Sequence, residues 1–131
     1  MDLENLKDLP FDVPDDDSVA DSSPRPYLED PRSLYKYPIP KYPIFVGRDK
    51  KCAICIPISP VSRKHARVFE QDGKFFIQDM GSLNGTFVND KRILDPEEIK
   101  EGDRVKIAIN QKYPKGAKEL VFRMNLEALE K

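Results

Sequence analysis

The chain has no tryptophan, one histidine, one threonine and two cysteines in 131 residues. No stretch approaches the roughly 18 consecutive apolar residues that a membrane-crossing helix needs, so no membrane span is predicted. The first residues mix Asp, Asn and Glu with short apolar pieces and show no basic end followed by an apolar run, hence no secretory signal. The expectation is a soluble, cytoplasmic protein, or a nuclear one in a eukaryotic cell. Cys52 and Cys55 alone cannot staple a secreted disulfide fold and fit a reducing compartment better. No run of five or more Lys and Arg marks a phosphate track, which weighs against nucleic acid as the partner.

What the chain does have is seven Phe, five Tyr and many Val and Ile, enough for the inside of one small β-rich domain. Charge is unevenly spread. Residues 1–30 carry ten acids against Lys7 and Arg25, whereas the rest has twenty basic and thirteen acidic residues. An acidic arm on a basic body points to an anionic partner for the body, with the arm as an electrostatic screen. Eight of the twelve prolines lie at or before Pro43, and residues 1–30 show no sustained apolar period. Such a segment buries too little surface to offset its chain entropy, so 1–30 is predicted to be an acidic, Pro-rich disordered arm. Residues 31–126 are then the domain, and 127–131 a C-terminal tail or short helix.

Tyr35, Tyr37 and Ile39 alternate among prolines as an edge strand would. After them, short apolar runs recur with turn signals between: PIFVG, AICIPI, HARVFE, KFFIQD, GTFVN, KRIL, RVKIAI and ELVFRM. Asp72-Gly73 reads as a hairpin turn, and Asn89-Asp90 as a second in which Asp is a poorer choice than Gly. Many short strands without a long helical period predict an all-β sandwich or barrel. Two places look helical: a single turn from Asp95 and Pro96 to Ile99, and NLEALEK at the C-terminus.

Ser62 three residues before His65 raises the question of a hydrolase. A nucleophile also needs a third group to orient its base and an oxyanion hole, and neither is visible, so no catalytic residue is assigned and the chain is not read as an enzyme. Three Cys and His residues cannot furnish a four-ligand zinc site, so neither metal nor cofactor is expected. Read as one extended strand, Cys52 and Cys55 point to opposite faces, which leaves them as packing thiols.

What remains is a set of small polar residues at strand ends: Gly47-Arg48, Ser62-Arg63-Lys64-His65 and Gly81-Ser82-Leu83-Asn84-Gly85-Thr86. In a sandwich, such connections gather at the ends of the sheets. Gly-Arg, then Ser-x-x-His about fourteen residues on, then Asn-Gly-Thr about twenty further on resembles the forkhead-associated (FHA) domain family, with FVNDKRI and IKEGDRVKI resembling its later strands. The resemblance implies two twisted sheets of about eleven short strands and a phosphothreonine-peptide reader that acts as an adaptor for partners in Ser/Thr kinase signalling. Those partners would be a kinase or its substrates. It implies Arg48, Ser62 and Arg63 on the phosphate, with Asn84 and Leu83 on the peptide. Gly47, His65, Gly81, Ser82, Gly85 and Thr86 would then support the site. A phosphate-independent scaffold on the same fold is the alternative. The prolines before Gly47 depart from the family pattern and predict a short or irregular first strand.

Overall fold

The computed structural model describes residues 25–124, in which the alternating runs become eleven short strands. In chain order these are β1 (Tyr27–Glu29), β2 (Lys36–Pro38), β3 (Ile44–Gly47), β4 (Ile54–Cys55), β5 (Ala66–Gln71) and β6 (Lys74–Asp79). They continue with β7 (Thr86–Val88), β8 (Lys91–Arg92), β9 (Glu97–Ile99), β10 (Arg104–Ile107) and β11 (Lys118–Arg123). A five-stranded sheet has the order β9-β6-β5-β3-β4, and a six-stranded sheet the order β2-β1-β11-β10-β7-β8. Neighbours are antiparallel throughout, except that β3 and β4 run parallel. This is the all-β sandwich expected, with its eleven strands.

Each sheet turns one side inward, as the period of two requires. Ile44, Val46, Val68, Phe75, Ile77 and Ile99 from the five-stranded sheet face Leu28, Val88, Val105, Ile107, Leu120 and Phe122 from the other, all of them buried. The Phe75 and Phe122 rings meet across the gap at 5.7 Å between centroids. Loop residues Ile39, Ile56, Val61 and Ile93 close the ends of this core.

The two hairpins form where turn chemistry placed them. Gln71 pairs with Lys74 around Asp72-Gly73, and Val88 pairs with Lys91 around Asn89-Asp90. All four turn residues have positive φ, as a tight two-residue hairpin with right-handed strand twist demands. Asp90 is held there in spite of its side chain by Lys106 and Arg104, which pair with its carboxylate. Pro38 lies in β2, at the sheet edge where a missing N–H is tolerated.

Two expectations are corrected. The predicted turn of helix at 95–99 is the edge strand β9, because pairing with β6 lets Ile99 sink into the core opposite Phe75, which an isolated helical turn could not do. The boundary at residue 30 is also too late. Leu28 is fully buried, and β1 is the strand that joins β2 to β11. Asp30 is buried and receives Lys118 Nζ at 2.5 Å, and this hydrogen bond holds its carboxyl below the usual carboxylate range. Arg25 clamps the entry, donating to Ile39 O at 3.0 Å and Glu70 Oε1 at 3.2 Å while stacking over Phe75. Residues 1–24 of the expected arm, and the expected helix at 125–131, lie outside the described residues.

Candidate functional site

Because β3, β5 and β6 are successive antiparallel neighbours, the end of β3, the start of β5 and the end of β6 coincide. The loops that follow β3 and precede β5 therefore meet at one end of the sandwich. There Arg48, Asp49, Ser62, Arg63 and Lys64 line a shallow, open hollow. Arg48 and Arg63 are exposed, and Ser62 is half-buried.

The Arg48 side chain is held at its base. Its Nε donates to Val61 O at 2.9 Å, which leaves both terminal nitrogens of the guanidinium for an outside acceptor. Its main chain is equally fixed, with Arg48 N on Ser62 O at 3.0 Å and Asp49 N on Arg63 O at 3.2 Å. These two bonds clamp one loop to the other and require close approach at Gly47. A Cβ there would lie 2.1 Å from Arg63 O, so only glycine fits.

His65 is fully buried beneath the hollow. Its Nδ1 accepts the main-chain N–H of Ser62 at 3.1 Å, which puts the ring proton on Nε2, and Nε2 donates to Gly85 O at 2.7 Å. Burial pushes the imidazole below its ordinary pKa and keeps it neutral, although the Gly85 carbonyl and the Asp79 carboxylate oppose this. The ring ties the Ser62 loop to the Gly85 loop and does not reach the Ser62 hydroxyl through any hydrogen bond.

The second loop is organised by Asp79, which sequence reasoning missed. Its carboxylate receives Ser82 Oγ at 2.5 Å, Thr86 Oγ1 at 2.7 Å, and the main-chain N–H groups of Gly81 and Ser82 at 3.0 Å each. Burial acts to raise the Asp79 pKa, but these donors outweigh it and hold the carboxyl below its usual range. The available signal was an Asp two and three residues ahead of Gly-Ser, the pattern of an Asx turn. Thr86 is fully buried, and Gly85 sits at φ +85° with Arg92 and Phe87 packed where a Cβ would go.

Asn84, in the same loop, donates its side-chain amide to Pro60 O at 2.8 Å and so also braces the segment leading to Ser62. Leu83 is almost fully exposed at 82%, and its N–H points at Ser62 Oγ from 3.4 Å. The structure thus brings Arg48, Ser62 and Arg63 into one hollow with Asn84 and Leu83 on its flank. Gly47, His65, Gly85 and Thr86 are buried behind it, while Ser82 is half-buried and Gly81 is exposed at the turn that Asp79 holds.

The thiols also belong to this end of the molecule, which corrects the reading of Cys52 and Cys55 as opposite faces of one strand. Only Cys55 is in β4, and Cys52 lies in the preceding turn. Cys52 Sγ donates to Arg63 O at 3.3 Å and Cys55 Sγ to Arg48 O at 3.7 Å. Desolvation and the nearby Asp49 carboxylate raise the Cys52 pKa, so the thiol stays protonated and able to donate.

Residues 44–108 match the family model described as FHA domain. The chain belongs to the FHA domain family over this stretch, and the family is one of binding modules. Among curated proteins it is 43% identical over 61 residues to the oxoglutarate dehydrogenase inhibitor of Corynebacterium diphtheriae, covering 47% of this chain and 42% of that protein. The chain spans less than half the length of the curated relatives it matches first. Among solved structures, an FHA domain characterised for phosphothreonine-dependent FHA domain interactions superposes with a TM-score of 0.65 at 24% identity, over 76% of this chain and 96% of that one. Mycobacterium tuberculosis EmbR in complex with a low-affinity phosphopeptide superposes with a TM-score of 0.68 at 25% identity, over 82% of this chain and 28% of that one.

Proposed function

We propose that this chain docks proteins phosphorylated on threonine, as a non-catalytic adaptor in Ser/Thr kinase signalling within the cytoplasm. The observation that carries the reading is the single hollow shared by Arg48, Ser62 and Arg63, three residues from two loops clamped to one another. Arg48 has two free guanidinium nitrogens for a dianion, Ser62 adds a neutral hydroxyl and Arg63 a second positive charge. Charge-assisted hydrogen bonds of this kind contribute about 1.5–3 kcal/mol each. Asn84 and Leu83, on the flank, hold the residues that follow the phosphothreonine. We place the start of the binding module at or before Tyr27, because Tyr27–Glu29 is a strand of its sheet.

His65 serves the site as a brace. In this role it keeps Ser62 aimed, and no proton transfer is required of it. Preference for phosphothreonine over phosphoserine would require a slot for the threonine methyl, and leaving a fitted slot empty costs about 1–3 kcal/mol.

The test is a titration of the full chain against an oriented phosphothreonine peptide library, repeated with Arg48→Ala. Binding that depends on both the phosphate and Arg48 supports the proposal. A partner that binds the Arg48→Ala variant unchanged would point instead to a phosphate-independent scaffold.

A further inference from the structure

The phosphate does not use up the positive charge at this end of the molecule. Arg48, Lys50, Lys51, Arg63 and Lys64 fall within two loops, against the single carboxylate of Asp49. Five other basic residues, Arg25, Arg104, Lys106, Lys118 and Arg123, each sit against an Asp or Glu. Among the described residues Lys50, Lys51 and Arg63 have no such partner, and Lys64 rests over the Phe45 ring with its Nζ 5.1 Å from the centroid. Lys50 and Lys51 are exposed at a turn that is itself pinned. Lys51 N donates to Asp49 Oδ1 at 2.9 Å, and Cys52 N donates to Asp49 O at 2.9 Å. The Asp49 carboxylate is thereby engaged by the main chain at the base of the turn.

The contacts also fix which side these lysines occupy. Asn84 and Leu83 approach the hollow through Pro60 and Ser62. The turn carrying Lys50 and Lys51 approaches it through Arg63, whose carbonyl receives Asp49 N and Cys52 Sγ. The lysine pair therefore stands on the opposite flank of the hollow from Asn84. We infer that this site selects peptides carrying anionic groups, carboxylates or a second phosphate, on the residues that precede the phosphothreonine, and that Lys50 and Lys51 read them. The inference rests on the phosphothreonine reading above, in which Asn84 holds the residues that follow.

The experiment uses the full chain and four labelled peptides followed by fluorescence anisotropy at low and high salt. One has a single phosphothreonine with alanine flanks, one has acids before it, one has the same acids after it, and one has a phosphoserine before it. Two exposed ion pairs correspond to about three- to tenfold in affinity. The peptide with preceding acids should bind tighter than the alanine peptide by that factor at low salt, and the gain should shrink at high salt. Lys50→Ala combined with Lys51→Ala should erase the gain and leave the alanine peptide within about twofold, and Lys50→Glu with Lys51→Glu should turn the gain into a loss. Phosphoserine exceeding the acids identifies a second phosphate as the preferred anion, and equal binding identifies carboxylates. A gain that is the same for acids placed after the phosphothreonine, or that survives both double variants, overturns the inference. Failure of the alanine peptide to bind in an Arg48-dependent manner instead overturns the phosphothreonine reading beneath it.

Discussion

His65 Nδ1 lies 3.1 Å from the main-chain nitrogen of Ser62 and accepts its proton, while the opposite ring nitrogen donates to Gly85 O. Two loops twenty residues apart in the chain are thus joined through one buried ring. Replacing it with Ala leaves a donor and an acceptor without partners in a buried place, each at about 1–3 kcal/mol. His65→Ala should therefore lower stability by about 3 kcal/mol in urea unfolding, and phosphopeptide affinity should fall with it because Ser62 is no longer aimed. His65→Gln, whose amide can both donate and accept, should recover part of the stability. An alanine variant as stable as the parent would show that the ring is not a brace.

The same arrangement sets a pH dependence. Protonating Nδ1 removes the acceptor for Ser62 N–H, and burial has already moved the His65 pKa down from its ordinary value of about 6.5. A histidine with a lowered pKa takes up its proton more readily in the unfolded chain. Its contribution is therefore complete above about pH 6.5 and is lost progressively as pH falls from there toward the lowered native pKa. Asp79 adds a second loss at lower pH. Its carboxyl is held below the usual range, so its contribution is present above about pH 3.8 and disappears as pH drops through the native value. Urea midpoints measured from neutral to acid pH should fall in two stages, and His65→Gln should remove the upper one.

Gly47 offers a test of the clamp between the loops. Alanine at this position would put its Cβ 2.1 Å from the Arg63 carbonyl oxygen, a main-chain atom that cannot rotate away. The Asp49–Arg63 and Arg48–Ser62 bonds would have to open. Gly47→Ala should cost about 2–4 kcal/mol of stability, an overpacking penalty with lost hydrogen bonds added. Gly73, where a Cβ meets nothing within 4 Å, is the control for space and should lose only the about 1–2 kcal/mol of holding alanine at a positive φ.

The strands with strict alternation or a turn signal were legible, because period two and Asp-Gly are local properties. Lys74–Asp79 is KFFIQD itself, and Ala66–Gln71 is HARVFE moved on by one residue. What was not legible depends on distant partners. Glu97–Ile99 looks helical from Pro96 and becomes a strand only because Phe75 to Ile77 offer an edge. The hollow could be assembled from the motif spacing that resembles the FHA family, whereas Asp79 carries only the weak local signal of an Asx turn, and its role depends on reaching Thr86 seven residues on. The thiols were misread because the run AICIPI was extended back through Cys52 as one strand, whereas only Ile54 and Cys55 pair.

The largest misreading concerns the start of the domain, and it yields a direct prediction. Composition alone makes residues 25–30 part of an acidic, proline-rich stretch, because Leu28 is the one aliphatic residue among RPYLED. Yet Leu28 is 0% exposed, Asp30 pairs with Lys118, and Tyr27–Glu29 supplies the ladder partner for both Lys36–Pro38 and Lys118–Arg123. A chain shortened to begin at residue 31 loses that buried side chain, worth about 1.5–3 kcal/mol, together with the hydrogen bonds of a central strand. It also exposes an unpaired edge on β11. A chain shortened to begin at Arg25 keeps all of these contacts. Thermal unfolding should therefore give the chain beginning at 25 a midpoint close to that of the full protein, while the chain beginning at 31 melts well below it or aggregates. Equal midpoints for the two shortened chains would mean that β1 adds nothing to the sandwich. The chain beginning at 25 is then the right one for asking whether the acidic residues before it screen the site. If they do, removing them should tighten phosphopeptide binding at low salt, and the difference should vanish at high salt.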